Sequence, residues 1–157
     1  MSLRDSLRVT RPSAEKVEQF KSLGLALIQR AVAGEDCSAL LAELERLTGG
    51  LQYEWEYFAD FGGAESIEEF AERAALGQAP HVPDIEPTEL VEVVQLICDG
   101  AGDAVSRYYL DLFSRNVSHS SASALIYHPQ QFWPKGYQPS AAEIVEMATS
   151  TTNVIRL

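Results

Sequence analysis

Apolar residues recur along most of this chain at spacings of three and four, the period of an α-helix that buries one face. Ser13 opens the first such run, and Val17, Phe20, Leu23, Leu27, Ile28 and Ala31 follow at helical intervals until Gly34 ends the pattern. Glu15 falls where the positive end of the helix dipole favours a carboxylate. Asp36 or Ser38 then caps a second helix, with Leu40, Leu41, Leu44 and Leu47 on one face and Gly49-Gly50 as its stop. The first fifty residues read as a helical hairpin.

Residues 51–63, LQYEWEYFADFGG, fit two periods. Tyr53, Trp55 and Tyr57 alternate with Glu54 and Glu56 as a strand would, whereas Leu51, Trp55 and Phe58 share a helical face; the position between helical segments favours helix. Ser66-Ile67-Glu68-Glu69 is a capping-box pattern, from which Ile67, Phe70, Ala71 and Ala74 carry a short helix to Gly77. Residues 78–87 hold three prolines and make an extended connector. Thr88 is the expected cap of the next helix, with Leu90, Val91, Val94, Ile97 and Cys98 turned inward. Gly100-Ala101-Gly102 interrupts it, and Asp103 restarts a helix through Val105, Tyr108, Tyr109, Leu112 and Phe113 to near Asn116.

The pattern then changes. Residues 118–123 are small and polar, and 124–139 mix β-branched and aromatic residues with three prolines, which predicts an extended or looped segment with one short strand at 125–127. Ser140-Ala141-Ala142-Glu143 is a second capping box, opening a short helix with Ile144, Val145 and Met147. The expected fold is mainly α: five to six helices in an irregular bundle, with the aromatic and proline-rich segment laid across it. It is read as one domain, 1–157, with residues 1–12 and 151–157 as tails able to fray. The alternative is α+β, with 53–58, 124–127 and 153–156 forming a small sheet.

Composition agrees with a folded domain: of 157 residues, 46% are hydrophobic and 22% charged, far from the composition that keeps chains disordered. No stretch near the start is apolar enough for a signal-peptide core and no window approaches a membrane span, so a cytoplasmic location is expected. Cys37 and Cys98 share no short spacing with each other or with a histidine, and nothing argues for a disulfide.

Charge alters the picture more. Residues 1–50 carry seven basic and seven acidic side chains, and 113–157 three and two, whereas 51–112 carry fourteen acidic side chains against Arg73 and Arg107 alone. The whole of the net charge of −11 thus falls in the middle of the chain, where the balance is −12. Such a field disfavours direct contact with nucleic acid or anionic membrane and favours a basic partner.

Candidate chemistry is sparse. His81, His119 and His128 lack ligand-like spacing, so no metal is expected; no G-x-S-x-G motif and no glycine-rich phosphate loop is present, so no cofactor is expected either. The leading expectation is a small acidic non-enzymatic binding protein, of the kind exemplified by bacterial immunity proteins and antitoxins that occlude a basic, nuclease-like partner. Its expected contact residues are Glu54, Glu56, Asp60, Glu65, Glu68, Glu69, Glu72, Asp84 and Glu86, with Trp133 as an aromatic anchor. Two other readings stand beside it: a small-ligand binder or enzyme with a pocket near His128 and the aromatic segment 127–137, and a homodimer formed through the hairpin 13–48.

Overall fold

A computed structural model describes residues 3–62, 65–100 and 103–150. Among the described residues 63% are helical and no strand is present, so the chain is mainly α and the small-sheet alternative is set aside. Among the described residues there are eight α-helices where five to six were expected, α7 falling where an extended segment was read: α1 Ala14–Val32, α2 Ser38–Thr48, α3 Trp55–Ala59, α4 Ile67–Leu76, α5 Pro87–Asp99, α6 Ala104–Arg115, α7 Ala122–Tyr127 and α8 Ala141–Thr149. The backbone divides into two compact units, one of Val9–Gln78 with Asp103–Tyr108, the other of Met1–Arg8, Ala79–Gly102 and Tyr109–Leu157.

In the first unit, Ser13 caps α1 as expected, its hydroxyl accepting the Lys16 N–H at 3.2 Å. The apolar face of α1 packs most extensively on α4 and α3, and less on its hairpin neighbour α2. Gly24 permits the closest approach: a Cβ built there would lie 2.7 Å from Phe70 Cε2 and 2.9 Å from Ile67 Cδ1. Around that contact Phe20, Leu27, Leu44, Phe58 and Phe70 are buried. The rings of Phe58 and Phe70 meet edge to face at 5.5 Å, a favourable geometry for aromatic quadrupoles. The ambiguous segment 51–63 is helical at Trp55–Ala59, with Phe58 buried and Tyr53, Tyr57 and Phe61 packed beside it, whereas Trp55, expected on the inward helical face, is exposed. Ser66 and Glu69 close the capping box of α4, the Ser66 N–H donating to Glu69 at 2.9 Å and the Glu69 N–H to the Ser66 hydroxyl at 3.1 Å.

In the second unit α5 packs against α8, and α8 against α7. Leu90, Val93, Val94 and Ile97 of α5 are buried with Leu125 of α7 and with Ile144, Val145 and Ala148 of α8. Three expectations need correction. Residues 125–127 are not a strand but the end of α7, whose Ala122 and Leu125 point inward one turn apart; six residues are too few for period and propensity to outweigh flanking prolines. Cys98 is exposed, not on the buried stripe: Val93 occupies the inward position and the face ends at Ile97. The cap of α5 is Glu86, with Pro87 in the first turn, where a missing N–H costs nothing, rather than Thr88. The second capping box is formed as expected, with Ser140 and Glu143 exchanging bonds of 2.9 and 3.1 Å.

The start of the chain is anchored. Leu3 and Leu7 are buried in the second unit, and Arg4 between them is tied to α5. Residues 151–157, with the proposed strand 153–156, lie outside the described residues.

Candidate functional site

The acidic middle of the sequence meets basic residues from its beginning. Arg4 grips Glu89 with two side-chain donors, Nε to Oε2 at 2.8 Å and Nη2 to Oε1 at 2.7 Å, and reaches Asp84 Oδ1 at 3.1 Å. This pairing brings Glu89, only 4% exposed, from its ordinary value of 4.5 down to about 2. Arg8 pairs with Glu92, which also accepts the Leu3 N–H at 3.0 Å. In the first unit Arg11 holds Glu72 at 3.1 Å and Lys21 holds Glu68 at 3.0 Å. Glu69 is spent on the capping box, and Glu86 caps α5 while donating its own N–H to Glu89.

Glu65 is the most enclosed of the expected contact residues. Its side chain, 12% exposed, accepts the Tyr57 hydroxyl and an Arg73 donor at 2.7 Å, with Arg107 at 3.6 Å on the other oxygen. Burial, and then the bond to Glu65, push the Tyr57 phenol well above its ordinary value. The Arg73 guanidinium also lies 5.6 Å from the Tyr53 ring, a cation–π distance. This cluster closes the α3–α4 side of the unit and leaves its carboxylate no free acceptor face for a partner.

Among the expected acidic contact residues, those left without an internal partner lie around α3. Glu54, Glu56 and Asp60 are exposed, and their carboxylates have no hydrogen-bonded or ion-paired partner among the described residues. Between Glu54 and Glu56 stands Trp55, 49% exposed. Its indole lines a half-open groove of about 400 Å³ together with Gly34, Glu35, Asp36, Cys37, Ser38 and Leu41.

The turn that lines the same groove follows from how α1 ends. The Glu35 N–H reaches back to the Arg30 carbonyl at 2.9 Å and the Gly34 N–H to Ala31 at 3.2 Å, the paired bonds of a Schellman motif. That motif needs a left-handed residue, which Gly34 supplies with φ 74°. The chain then turns sharply into α2, and Asp36 Oδ1 fixes the turn by accepting the Ser38 N–H at 3.0 Å and its hydroxyl at 2.6 Å. Those bonds hold the Asp36 carboxyl below its ordinary value. Cys37 is buried at the base, its thiol directed to the Glu35 carbonyl at 3.6 Å.

The sequence pointed to Glu54, Glu56 and Asp60 but not to Glu35, Asp36 or the groove itself; the signal for it was the short Gly34–Ser38 link between two helices, which forces a concave turn. Trp133 lies in the other unit, half-buried after the single 3₁₀ turn Pro129–Gln131, its N–H donating to the Pro129 carbonyl at 2.9 Å. His128 is exposed at the end of α7, and its ring has no carboxylate partner among the described residues. Among the described residues no group of three or more His, Cys, Asp or Glu side chains is placed to hold a metal ion, and no helix is long and apolar enough to cross a membrane. Comparison with protein-family models, with curated proteins and with solved structures gives no match.

Proposed function

We propose that the chain is a small non-enzymatic binding protein that docks a basic protein partner against the acidic surface around Trp55. The observation that carries this reading is an exposed indole flanked by carboxylates with no counter-charge among the described residues, whereas Glu65, Glu68, Glu72 and Asp84, also expected at the contact, are ion-paired within the fold. A carboxylate already paired within the fold gains little from a second cation, whereas Glu54, Glu56, Asp60 and Glu35 gain a first one. A large aromatic beside them supplies desolvated contact area, the usual source of affinity at an interface centre. The partner class expected from this chemistry is a protein whose own cleft binds nucleic acid and is therefore basic, and occluding that cleft in the cytoplasm is the immunity or antitoxin type of role.

Co-expression with the product of the neighbouring gene, followed by a salt titration of any complex, tests this. A complex that weakens steeply with ionic strength and is lost in Trp55→Ala supports the reading; one that ignores salt removes its electrostatic basis. A homodimer through residues 13–48 is a second reading, favoured by Leu25 and Val32, 50% and 69% exposed on α1. Gel filtration at a single monomer volume across micromolar concentrations rejects it.

A further inference from the structure

We infer that the Trp55 groove is a receptor for one arginine side chain of a basic partner, an inference that rests on the function proposed above and gives it a ligand chemistry. The groove combines three surfaces that a guanidinium uses together. Trp55 offers a flat, half-exposed π face. Leu41 offers an apolar wall against which the methylene stem can lie. Asp36 and Glu35, on the turn that lines the same groove, carry carboxylates.

A guanidinium is planar, weakly hydrated and presents paired donors, so it can stack on an indole and bond a carboxylate edge at once; an ammonium is compact and strongly hydrated and gains less from such a slot. Asp36 is preset for this, because the Ser38 N–H and hydroxyl both engage Oδ1 and orient the carboxylate with Oδ2 left over. Arg30 holds the main-chain carbonyl of Asp36 at 3.2 Å rather than its carboxylate, so the protein's own guanidinium braces the turn without an ion pair to that carboxylate. Glu35 has no side-chain partner among the described residues. At about 400 Å³ the groove is at the small end of ligand sites, which run from roughly 300 to 1,000 Å³. That suits one side chain with its solvent.

The test uses the full chain carrying Trp133→Phe, so that Trp55 is the sole tryptophan, and follows its fluorescence during titration with acetyl-Gly-Arg-Gly-amide. The expected result is a saturable change, with affinity about fivefold or more above that of the lysine analogue and no response to the citrulline analogue, which keeps the shape and loses the charge. Glu35→Gln, which changes a side chain with no partner among the described residues, and Asp36→Asn should each lower the arginine affinity by roughly threefold to tenfold. Equal response to arginine and citrulline, or an affinity unchanged in both variants, overturns the assignment. Calorimetry with octalysine on the same protein separates the two levels: octalysine binding with no arginine response removes the arginine receptor alone, whereas no binding of either peptide removes the basic-partner reading as well.

Discussion

Gly24→Ala is a small change whose sign is set by one contact. In an exposed helix interior the substitution stabilises by about 1 kcal/mol, because glycine is the poorer helix former. Here the new methyl would sit 2.7 Å and 3.0 Å from two atoms of the Phe70 ring and 2.9 Å from Ile67 Cδ1. Phe70 is fully buried and ringed by Tyr53, Phe58 and Phe61, with centroids at 5.5, 5.5 and 6.3 Å, so it has no space to withdraw into. Overpacking of this kind costs about 1–3 kcal/mol, and the close approach of α1 to α4 puts this site near the upper end. The net expectation is destabilisation of about 1–2 kcal/mol, or roughly 2–8 °C in Tm for a chain of this size. Urea unfolding should show a lower midpoint with an unchanged m-value. Phe70→Leu supplies the internal control: with the ring edge removed, the same Gly24→Ala step should be near neutral or favourable, a coupling of about 1 kcal/mol or more. A Gly24→Ala protein as stable as the parent, or an equal penalty in the Phe70→Leu background, refutes the packing assigned to α1 and α4.

Glu89→Gln should cost about 2 kcal/mol by breaking a charge-assisted pair that is nearly buried on the glutamate side. Because the Glu89 carboxyl is held at about 2 in the folded chain against an ordinary 4.5, its contribution is complete above the ordinary value and fades as pH falls towards 2; the stability gap between parent and variant should therefore close on acidification, and a gap that widens contradicts the Arg4 pairing. Lys21→Ala should change stability by less than about 0.5 kcal/mol in urea titrations, since the Glu68 it meets is 60% exposed. Ser140→Ala should lower it by about 1 kcal/mol through loss of the α8 capping box, read from the same titrations.

The helices with long apolar periods and chemical punctuation were legible from residue order: α1 with Ser13 and Gly34, α4 with Ser66 and Glu69, α8 with Ser140 and Glu143. Segments shorter than two turns were less so: helix was favoured at α3 on its position alone, and α7 was read as extended. In α3 two periods competed, and in α7 only Ala122 and Leu125 carry the helical spacing. Charge was legible in amount and misleading in distribution. Counting along the chain set a neutral beginning beside an acidic middle, yet Arg4, Arg8, Arg11 and Lys21 fold onto Glu89, Glu92, Glu72 and Glu68. Pairings across 47 to 85 positions leave no local trace. They are also why Glu89, a charged residue on the inward face of α5, is tolerated there.

On the proposed function, the location of the carboxylates, not the total charge, decides where a basic partner binds. Two triple variants remove three negative charges each: Glu54→Gln/Glu56→Gln/Asp60→Asn beside Trp55, and Glu68→Gln/Glu69→Gln/Glu72→Gln at positions with internal partners. Octalysine affinity measured by calorimetry at low salt should fall about tenfold or more in the first and change by less than about threefold in the second. Equal losses in the two proteins would contradict the account, because binding would then follow net charge alone.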